Sequence, residues 1–315
     1  MYSKLKIFTG NSNKKLAVEV AKHAGIPLGD SETFKFSNDN TFVKINENVR
    51  GSDTFIVQPT CYPVNDNLME LLIMIDALKR ASAQKINCVI PYFSYGRSDK
   101  KDQPRVPITA KLVADLLTTA GASRIVSMDL HSEQIQGFFN IPVDHLSALP
   151  IFSRYFKNNL DTENAVIVSP DAGGTNRARE LAKKLNCNLA IGDKRRIGNI
   201  DKAEILNVIG DVKGKIAILF DDIVDTAGSL TKIADVLMKL GAKKVFAGCS
   251  HGILSGNAIE RIVDSPIEKI YITDSIPLSK EKKQCKKIVQ ISIAELLATA
   301  IKKIHIEESL SILFR

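Results

Sequence analysis

The sequence contains no tryptophan, and aromatic residues make up only 6% of its 315 residues. Cysteine is also scarce: five are scattered along the chain, and no two of them form a C-x-x-C pair. An odd number of dispersed cysteines, with no Cys/His cluster at metal spacing, is not the pattern of a disulfide framework or a zinc site. The sequence therefore predicts a reduced, cytoplasmic protein.

Long apolar stretches are missing as well. The longest runs, such as Leu71–Ile75 and Ile216–Phe220, are far shorter than the roughly 20 residues of a membrane-spanning helix. The N-terminal residues show no charged flank followed by an apolar stretch, so neither a signal peptide nor a membrane partner is predicted. With 44% hydrophobic and 25% charged residues, the chain is typical of a globular protein with a full core.

Positive charge exceeds negative charge. There are 43 Lys and Arg residues against 35 Asp and Glu residues, a net charge of +8. Such an excess favours a polyanionic partner, and by charge alone nucleic acid, a membrane surface and phosphorylated small molecules all qualify. A nucleic-acid binder should line one face with basic residues and interleaved aromatics, whereas the basic residues here fall in separate loops. We therefore predict no nucleic-acid partner.

Short apolar runs alternate with helical patterns along the chain. Many of the runs are continuous, as expected for strands buried on both faces of a parallel sheet. The alternation predicts an α/β architecture. The predicted strands are Leu5–Thr9, Thr54–Gln58, Cys88–Pro91, Arg124–Asp129, Ala165–Ser169, Ile216–Phe220, Val245–Cys249 and Lys269–Thr273, and the predicted helices are Asn67–Ala83, Thr109–Ala120, Asn176–Leu185 and Leu230–Leu240.

A faint internal repeat indicates two domains. A strand, loop and helix that begin at Val57 have a counterpart that begins at Leu219, about half the chain later. The length also suggests about two domains. We predict an N-terminal domain of residues 1–147 and a C-terminal domain of residues 148–315. The last helix and tail, Ile293–Phe314, pack either in the second domain or back on the first.

The segment Phe220–Leu230 carries the sharpest chemical signal. An apolar strand ends in Asp221 and Asp222, and a short polar loop then opens a helix. Ligands of parallel sheets bind at the carboxyl ends of strands. The loop N–H groups, the Thr226 and Ser229 hydroxyls and the helix N-terminus together form an anion cradle. A helix cap beside two solvated acids is the alternative, but adjacent acids ending a buried strand are costly without a partner.

This segment closely resembles the phosphoribosyl-diphosphate (PRPP) signature of the type I phosphoribosyltransferase fold. Further motifs make the chain similar, from Lys6 to Phe314, to the class I ribose-phosphate pyrophosphokinase family. They are Asn65–Leu72, Pro91–Arg97, Met128–His131, Gln134–Phe139 and Ser169–Gly174. The resemblance implies two tandem phosphoribosyltransferase-like domains, each a mainly parallel sheet flanked by helices. It also implies an enzyme that transfers the β,γ-diphosphate of ATP to the 1-hydroxyl of ribose 5-phosphate, giving PRPP and AMP for nucleotide biosynthesis.

The resemblance assigns roles to individual residues. Mg²⁺ is the implied cofactor; a histidine ligand rests on the resemblance alone, because Mg²⁺ prefers oxygen. Basic residues of a mobile loop would neutralise charge on the transferred group. Without the resemblance, the composition of this loop would indicate a solvated basic stretch. The implied ribose 5-phosphate residues are Asp221, Asp222, Asp225, Thr226, Ala227, Gly228 and Ser229, the metal ligands Asp129, His131 and Asp171, and the catalytic residues Lys194 and Arg196.

The implied ATP site departs from the family pattern in two places. Many relatives have Gln where Ser98 stands, and relatives usually have Glu where Asn40 stands, so the nucleotide preference stays open. Phe36 is expected to stack on the base and Asn38 to bond to its edge, reaching from a neighbouring subunit. The implied ATP-binding residues are Phe36, Asn38, Asn40, Arg97, Ser98 and Asp102.

The family also implies assembly and regulation. The expected assembly is a homohexamer, and a site for phosphate and ADP lies at a subunit interface. Glu133 stands where many relatives have a small polar residue, and His145 where they often have Asn. An acid there would repel phosphate. We therefore predict that activation by phosphate, or inhibition by ADP, is weakened. The implied regulatory residues are Gln136, Asp144, Ser309 and Ser311.

Two other functions share part of this pattern. A regulatory subunit would keep the fold but lose parts of the catalytic or phosphate loops, which are present here. A salvage phosphoribosyltransferase, which uses PRPP and a nucleobase, would share the Asp221–Ser229 segment but not the tandem domains or the Asp129–His131 segment. The motifs therefore favour the diphosphate-transferring enzyme.

Overall fold

The protein is described by a computed structural model that covers residues 3–196 and 203–314, with side chains outside 194–206 and 314. The chain forms two compact units. The first holds residues 3–147, 275–277 and 292–314, and the second holds residues 148–274 and 278–291. All five cysteines are free thiols.

The first unit is built on a five-stranded parallel sheet. Its elements in chain order are β1 (Leu5–Thr9), α1 (Lys14–Ala24), β2 (Ser31–Lys35), β3 (Thr41–Ile45), β4 (Asp53–Val57), α2 (Val64–Arg80), β5 (Lys85–Ile90), α3 (Thr109–Ala120), β6 (Arg124–Met128), a 3₁₀ turn (Glu133–Phe138) and β7 (Val143–Leu146). The sheet order is β1-β4-β5-β6-β7, and every neighbouring pair is parallel. Strands β2 and β3 form a separate antiparallel hairpin.

Buried strands explain the continuous apolar runs. All five residues of β4 are buried. Since successive side chains point to opposite faces, Ile56 lies in the core formed with α2 and α3, whereas Phe55 and Val57, also fully buried, face the other side. A strand with both faces covered has no exposed side that would accept polar residues.

The second unit is built on a seven-stranded sheet. Its elements are α4 (Leu149–Asn159), β8 (Ala165–Ser169), α5 (Thr175–Leu185), β9 (Asn188–Arg196), β10 (Ala203–Ile209), β11 (Ile216–Val224), α6 (Gly228–Lys239), β12 (Lys244–Gly252), α7 (Ala258–Asp264), β13 (Ile267–Thr273), a 3₁₀ turn (Lys282–Gln284) and β14 (Ile288–Ile291). The order is β10-β9-β8-β11-β12-β13-β14, and the neighbours are parallel except for β10 with β9.

The C-terminal segment belongs to the first unit, one of the two placements left open by the sequence. Helix α8 (Ala294–His305) is followed by a 3₁₀ turn at Ser311–Phe314. His305 Nδ1 lies 2.8 Å from a carboxylate oxygen of the buried Asp53, whose other oxygen accepts a hydrogen bond from Asn87. Lys302 Nζ donates to the carbonyl of His23 at the end of α1. These contacts tie α8 to β4 and to the end of α1 in the same unit.

The predicted α/β class with two mainly parallel sheets is confirmed, while several element bounds differ. The predicted strands Leu5–Thr9 and Ala165–Ser169 and the predicted helix Thr109–Ala120 match exact observed bounds. The strand predicted to end at Phe220 instead continues to Val224 as β11, because β12 pairs with it up to that residue. Within the described part of the chain, no helix is long and apolar enough to cross a membrane.

We expect Phe152→Ala to destabilise the second unit strongly. Phe152 of α4 is fully buried, and its ring centroid lies 5.2 Å from that of Phe220 and 5.7 Å from that of Phe156. Truncating such a side chain leaves a cavity and costs about 3–5 kcal/mol. Urea unfolding followed by circular dichroism measures the loss, since the chain has no tryptophan to report it. Met238→Ala, at a site 39% exposed, is the control, and equal losses in both variants would contradict the expectation.

Candidate active site

The second sheet reverses its order next to β8, and this point defines a crevice. From β8 the chain passes to β9 on one side of the sheet and later returns as β11 on the other. Ligands of open parallel sheets bind outside the carboxyl ends of the strands at such a switch point. The loop Ser169–Gly174 follows β8, and the acids Asp221 and Asp222 lie in the last part of β11. Two predicted site segments therefore flank one crevice.

One arginine contacts both acids of β11. Arg177 Nη1, from the first turn of α5, lies 3.1 Å from Asp222 Oδ1 and 3.7 Å from Asp221 Oδ1. The side chain of Asp222 is 6% exposed and that of Asp221 is 27% exposed. Sequence reasoning missed Arg177. A cation in the first turn of a helix is disfavoured by the helix dipole, and that mismatch was the available signal.

The two acids do not ionise independently. Burial, followed by the neighbouring Asp222 carboxylate, raises the pKa of Asp221 to about 7, and the Arg177 guanidinium opposes the rise without cancelling it. Beneath them, the buried Cys249 thiol donates to the carbonyl oxygen of Asp222 at 3.2 Å. Burial and both carboxylates hold the pKa of this thiol far above its usual range, so it stays neutral. The site thus favours ligands that bring positive charge or hydroxyl donors.

The loop after β8 is folded by Asp171. Its Oδ1 accepts hydrogen bonds from the backbone N–H groups of Gly173 at 3.0 Å and Gly174 at 3.2 Å. A Cβ added to Gly174 would lie 3.0 Å from Ser169 Oγ and 3.6 Å from Asp221 Oδ1, so glycine allows the loop to approach the acid pair closely. Asp171, predicted as a metal ligand, therefore has a structural role in this turn as well.

The predicted phosphate loop lies at the start of α6. Ala227 has φ 59° and ψ 3°, a left-handed conformation that a residue with a Cβ rarely adopts. The first helical hydrogen bond runs from the Thr231 N–H to the Ala227 carbonyl. The N–H groups of the preceding turn have no partner within the helix. They provide donors for an anion, and the exposed Thr226 and Ser229 lie beside them.

The predicted catalytic residues lie at the end of β9, where only the backbone is described. The backbone of Lys194 and Arg196 belongs to β9, where Lys194 pairs with Ile205 and Arg196 with Ala203. Their side chains lie outside the described residues. Their predicted role in charge neutralisation therefore stays a prediction.

In the first unit, two neighbouring strands carry the predicted nucleotide and metal residues. The loop with Arg97 follows β5, and Asp129 and His131 follow β6. Asp129 is buried and has φ 40°, whereas His131 is exposed. A Cβ placed on Gly96, which precedes Arg97, would lie 3.8 Å from the Cβ of His131. The structure thus brings the Arg97 loop against the predicted metal-binding turn.

His145 supports that turn from β7. Its Nε2 accepts a hydrogen bond from the Leu130 N–H at 2.9 Å, which places a proton on Nδ1 in the neutral ring. Sequence reasoning treated His145 only as a departure within the regulatory site. The structure shows that its ring holds the peptide between Asp129 and Leu130, next to His131.

The hairpin β2–β3 presents the residues predicted to contact the base. Phe36 is 49% exposed, and its ring packs against the rings of Phe34 and Phe42, with centroids 5.2 and 5.6 Å away. The Asn38 Oδ1 accepts a hydrogen bond from the backbone N–H of Asn40 at 3.2 Å. An exposed aromatic ring held by two others is suited to stack on a flat ligand.

Two other predicted ATP residues lie near α3. Ser98 closes a turn through its N–H to the Tyr95 carbonyl at 2.8 Å, and its own carbonyl accepts from the Ala110 N–H in the first turn of α3. The Ser98 backbone therefore links the Arg97 loop to α3. Asp102 lies exposed in the connection between them.

The predicted regulatory residues separate into two groups. Asp144 and Ser309 line a cavity of about 560 Å³ in the first unit. Asp144 pairs there with Arg124 at 2.7 Å. Gln136 is not among the residues lining this cavity; its Nε2 donates to the Glu133 carbonyl. Ser311 also lies off the cavity, and its N–H donates to Ser309 Oγ.

The donor chemistry suits a divalent cation only in part. In the first unit, Asp129 supplies carboxylate oxygens, which Mg²⁺ prefers, whereas the His131 nitrogen is an unusual ligand for it. In the second unit, Asp171 supplies a carboxylate of its own. Among the described residues, no three His, Cys, Asp or Glu side chains come together in one metal-binding group.

The parallel sheets, the acid pair at the switch point and the loop before α6 define an α/β protein of the phosphoribosyltransferase type. Two family models match: the N-terminal domain of ribose phosphate pyrophosphokinase at residues 5–121, and the phosphoribosyl synthetase-associated domain at residues 197–315. The chain belongs to the ribose-phosphate pyrophosphokinase family, as its resemblance predicted.

Individual relatives agree with this assignment. The chain is 57% identical to ribose-phosphate pyrophosphokinase from Caldanaerobacter subterraneus subsp. tengcongensis, over 98% of both chains. It is 55% identical to the Clostridium perfringens protein of that name, over 99% of this chain and 98% of that one. A crystal structure of phosphoribosylpyrophosphate synthetase from Mycobacterium smegmatis superimposes with a TM-score of 0.91 at 40% identity, covering 97% of this chain and 100% of the other. The relatives are enzymes, and the prediction of an enzyme is confirmed.

We expect Asp221→Asn to stabilise the protein at alkaline pH. The folded state raises the pKa of Asp221 to about 7, whereas an unfolded aspartate has a pKa near 3.9. Between these values the folded state binds more protons than the unfolded state, so wild-type stability falls as pH rises. The variant lacks this loss, and its advantage in free energy of unfolding should grow from about pH 5 to about pH 8.

Urea unfolding of wild type and Asp221→Asn at about pH 5 and at about pH 8 measures the difference in free energy of unfolding. The control is Asp235→Asn on the exposed side of α6, whose difference from wild type should not change between the two pH values in this way. An Asp221→Asn variant less stable than wild type at the higher pH would contradict the expectation.

Proposed function

We propose that the protein transfers the β,γ-diphosphate of ATP to the 1-hydroxyl of ribose 5-phosphate. The 1-hydroxyl oxygen bonds to the β-phosphorus, the bond from that phosphorus to the α,β-bridging oxygen breaks, and the hydroxyl proton is released. The products are PRPP and AMP, which places the enzyme in nucleotide biosynthesis. The observation that carries the proposal is the acid pair and loop at one switch point, in a chain of this family.

Ribose 5-phosphate is assigned to the crevice beside β11. Asp221 and Asp222 suit the sugar hydroxyls, since ionised carboxylates accept hydrogen bonds from them. The loop before α6 suits the 5-phosphate, because the N–H groups and the helix dipole both favour an anion. The residues assigned to the phosphate are Asp225, Thr226, Ala227, Gly228 and Ser229.

ATP is assigned to the first unit, together with the hairpin of a neighbouring subunit. Phe36 and Asn38 suit the base, because the ring is exposed and the amide stands beside it. Asn40, Arg97, Ser98 and Asp102 complete the proposed contacts. This arrangement requires self-association, and we propose the homohexamer of the family.

Mg²⁺ is the proposed cofactor: Asp129 and His131 are the proposed ligands of the ion that accompanies ATP, and Asp171 is the proposed acid of a second metal site. When bound, it would neutralise phosphate charge and orient the diphosphate. Lys194 and Arg196 are proposed to bind the charge that develops on the transferred group. Phosphoryl transfer depends mainly on such positioning and charge stabilisation, so the chain needs no covalent nucleophile.

Phosphorus NMR with Mg²⁺, ATP and ribose 5-phosphate tests the proposal directly. We expect AMP and a new C1-linked diphosphate signal, both dependent on the sugar phosphate. Production of ADP would mean transfer of the γ-phosphate and would overturn the mechanism. No turnover with any triphosphate would favour a regulatory subunit.

The same assay tests the basic residues. Lys194→Ala and Arg196→Ala should each lower kcat by about 10²-fold or more, because each removes charge stabilisation in the transition state. Lys183→Ala, at an exposed site on α5, is the matched control and should turn over like wild type. Normal turnover in both loop variants would exclude the proposed catalytic role.

Phosphate regulation is proposed to be weak. Glu133 brings an acid beside Gln136, one of the predicted phosphate-site residues, and Asp144, which lines the separate cavity, is already paired with Arg124. We expect inorganic phosphate to change the initial rate by less than about twofold, because like charge raises the cost of binding an anion. Strong saturable activation in a phosphate titration would contradict this. Glu133→Ser should restore the response if the acid is the cause.

A further inference from the structure

The loop assigned to the 5-phosphate is held by the segment that follows β12. The N–H groups of Ile253 and Leu254 donate to the Val224 carbonyl at 2.9 and 3.1 Å. The Ser255 N–H donates to the Asp225 carbonyl at 3.0 Å, and the Ser255 hydroxyl donates to the Asp225 carboxylate. The segment therefore supports the loop residue by residue.

Arg261 of α7 contacts the next residue of the loop. Its Nη1 donates to the Thr226 carbonyl oxygen at 2.9 Å. A Cβ added to Gly228 would lie 3.5 Å from the same nitrogen, so the guanidinium borders the start of α6. No motif that led to the family includes Arg261, and its contact arises only from the fold.

The position of this contact matters because the following residue is strained. Ala227 has φ 59°, and such a conformation persists only where the surroundings hold it. Arg261 fixes the carbonyl of the peptide that joins Thr226 to Ala227. A charged donor on that carbonyl polarises the peptide, and its N–H, on the Ala227 side, becomes a stronger donor.

We propose that Arg261 is a positioning residue for the phosphate group of ribose 5-phosphate. It acts through the Thr226 carbonyl, by holding the peptide before Ala227 in the orientation that directs N–H groups to the anion. The inference rests on the proposed function of the loop. It adds a residue that selects the phosphorylated end of the sugar.

Titration calorimetry of ribose 5-phosphate against wild type and Arg261→Gln tests the proposal without turnover. We expect Kd to rise about 10-fold, the size of one lost charge-assisted hydrogen bond. The KM for ribose 5-phosphate should rise similarly while the KM for ATP stays unchanged. Arg261→Lys should recover part of the affinity, because one donor suffices for one carbonyl. The control is Arg154→Gln, at an exposed site on α4.

A second variant separates positioning from simple charge attraction. Ser255→Ala removes a neighbouring support without changing charge, so positioning predicts that it also weakens ribose 5-phosphate binding. Unchanged affinity in Ser255→Ala together with full recovery in Arg261→Lys would show an effect of charge alone and overturn the proposal. Equal rises in both KM values would mean a general structural defect and would also overturn it. If wild type binds ribose 5-phosphate but produces no AMP, the proposed reaction fails while the role of Arg261 is still measured.

Discussion

The contact of one guanidinium with two carboxylates is the interaction on which the second unit's crevice depends. Asp221 and Asp222 are adjacent in a strand that is buried along most of its length, where like charges are expensive. Arg177 offsets part of that cost from α5, yet burial and the second acid still raise the pKa of Asp221 to about 7. A fold that only had to be stable would place apolar residues here. The cost of keeping the two acids here agrees with the ligand-binding role proposed for them.

Two residues in left-handed backbone conformations lie in predicted site turns. Asp129 after β6 and Ala227 after β11 both have positive φ, at 40° and 59°. Each lies in a turn that holds residues predicted to bind a ligand. A side chain from another element also hydrogen-bonds the backbone of each turn. The His145 ring accepts a hydrogen bond from the Leu130 N–H, and Arg261 donates one to the Thr226 carbonyl. In both units, a side chain from a neighbouring element fixes one peptide of a strained turn.

The sequence predicted the bounds of two buried strands correctly because their burial leaves a simple pattern. Continuous apolar runs marked β1 and β8 to the residue. The end of β11 was placed too early, because polar residues end an apolar run while pairing with β12 continues to Val224. The hairpin strands β2 and β3 were not predicted as strands, since their mixed exposure gives no apolar run.

The site was predicted where it is contiguous and missed where it depends on the fold. The loop Asp225–Ser229 is one stretch of sequence, so its composition alone indicates an anion cradle. Arg177 reaches the acid pair only because β8 and β11 are parallel neighbours, with Val168 beside Leu219. No local pattern records that pairing. His145 and Arg261 act through backbone atoms of other segments, and residue types in sequence carry no sign of such contacts.

The contacts of Arg177 and Arg261 show that the net charge of +8 is not what determines the electrostatics of the crevice. Exposed lysine pairs on helices, such as Lys22 with Glu19 on α1, contribute little to stability and are screened by salt. The positive charges whose contacts with the crevice residues are described belong to two arginines, Arg177 and Arg261, and a planar, multi-donor guanidinium suits fixed geometry. The Nη1 atom of Arg177 approaches both carboxylates, and that of Arg261 meets a single carbonyl. The polar contacts at the crevice therefore depend on where a few guanidinium groups are held, and the overall excess of charge is a poor guide to them.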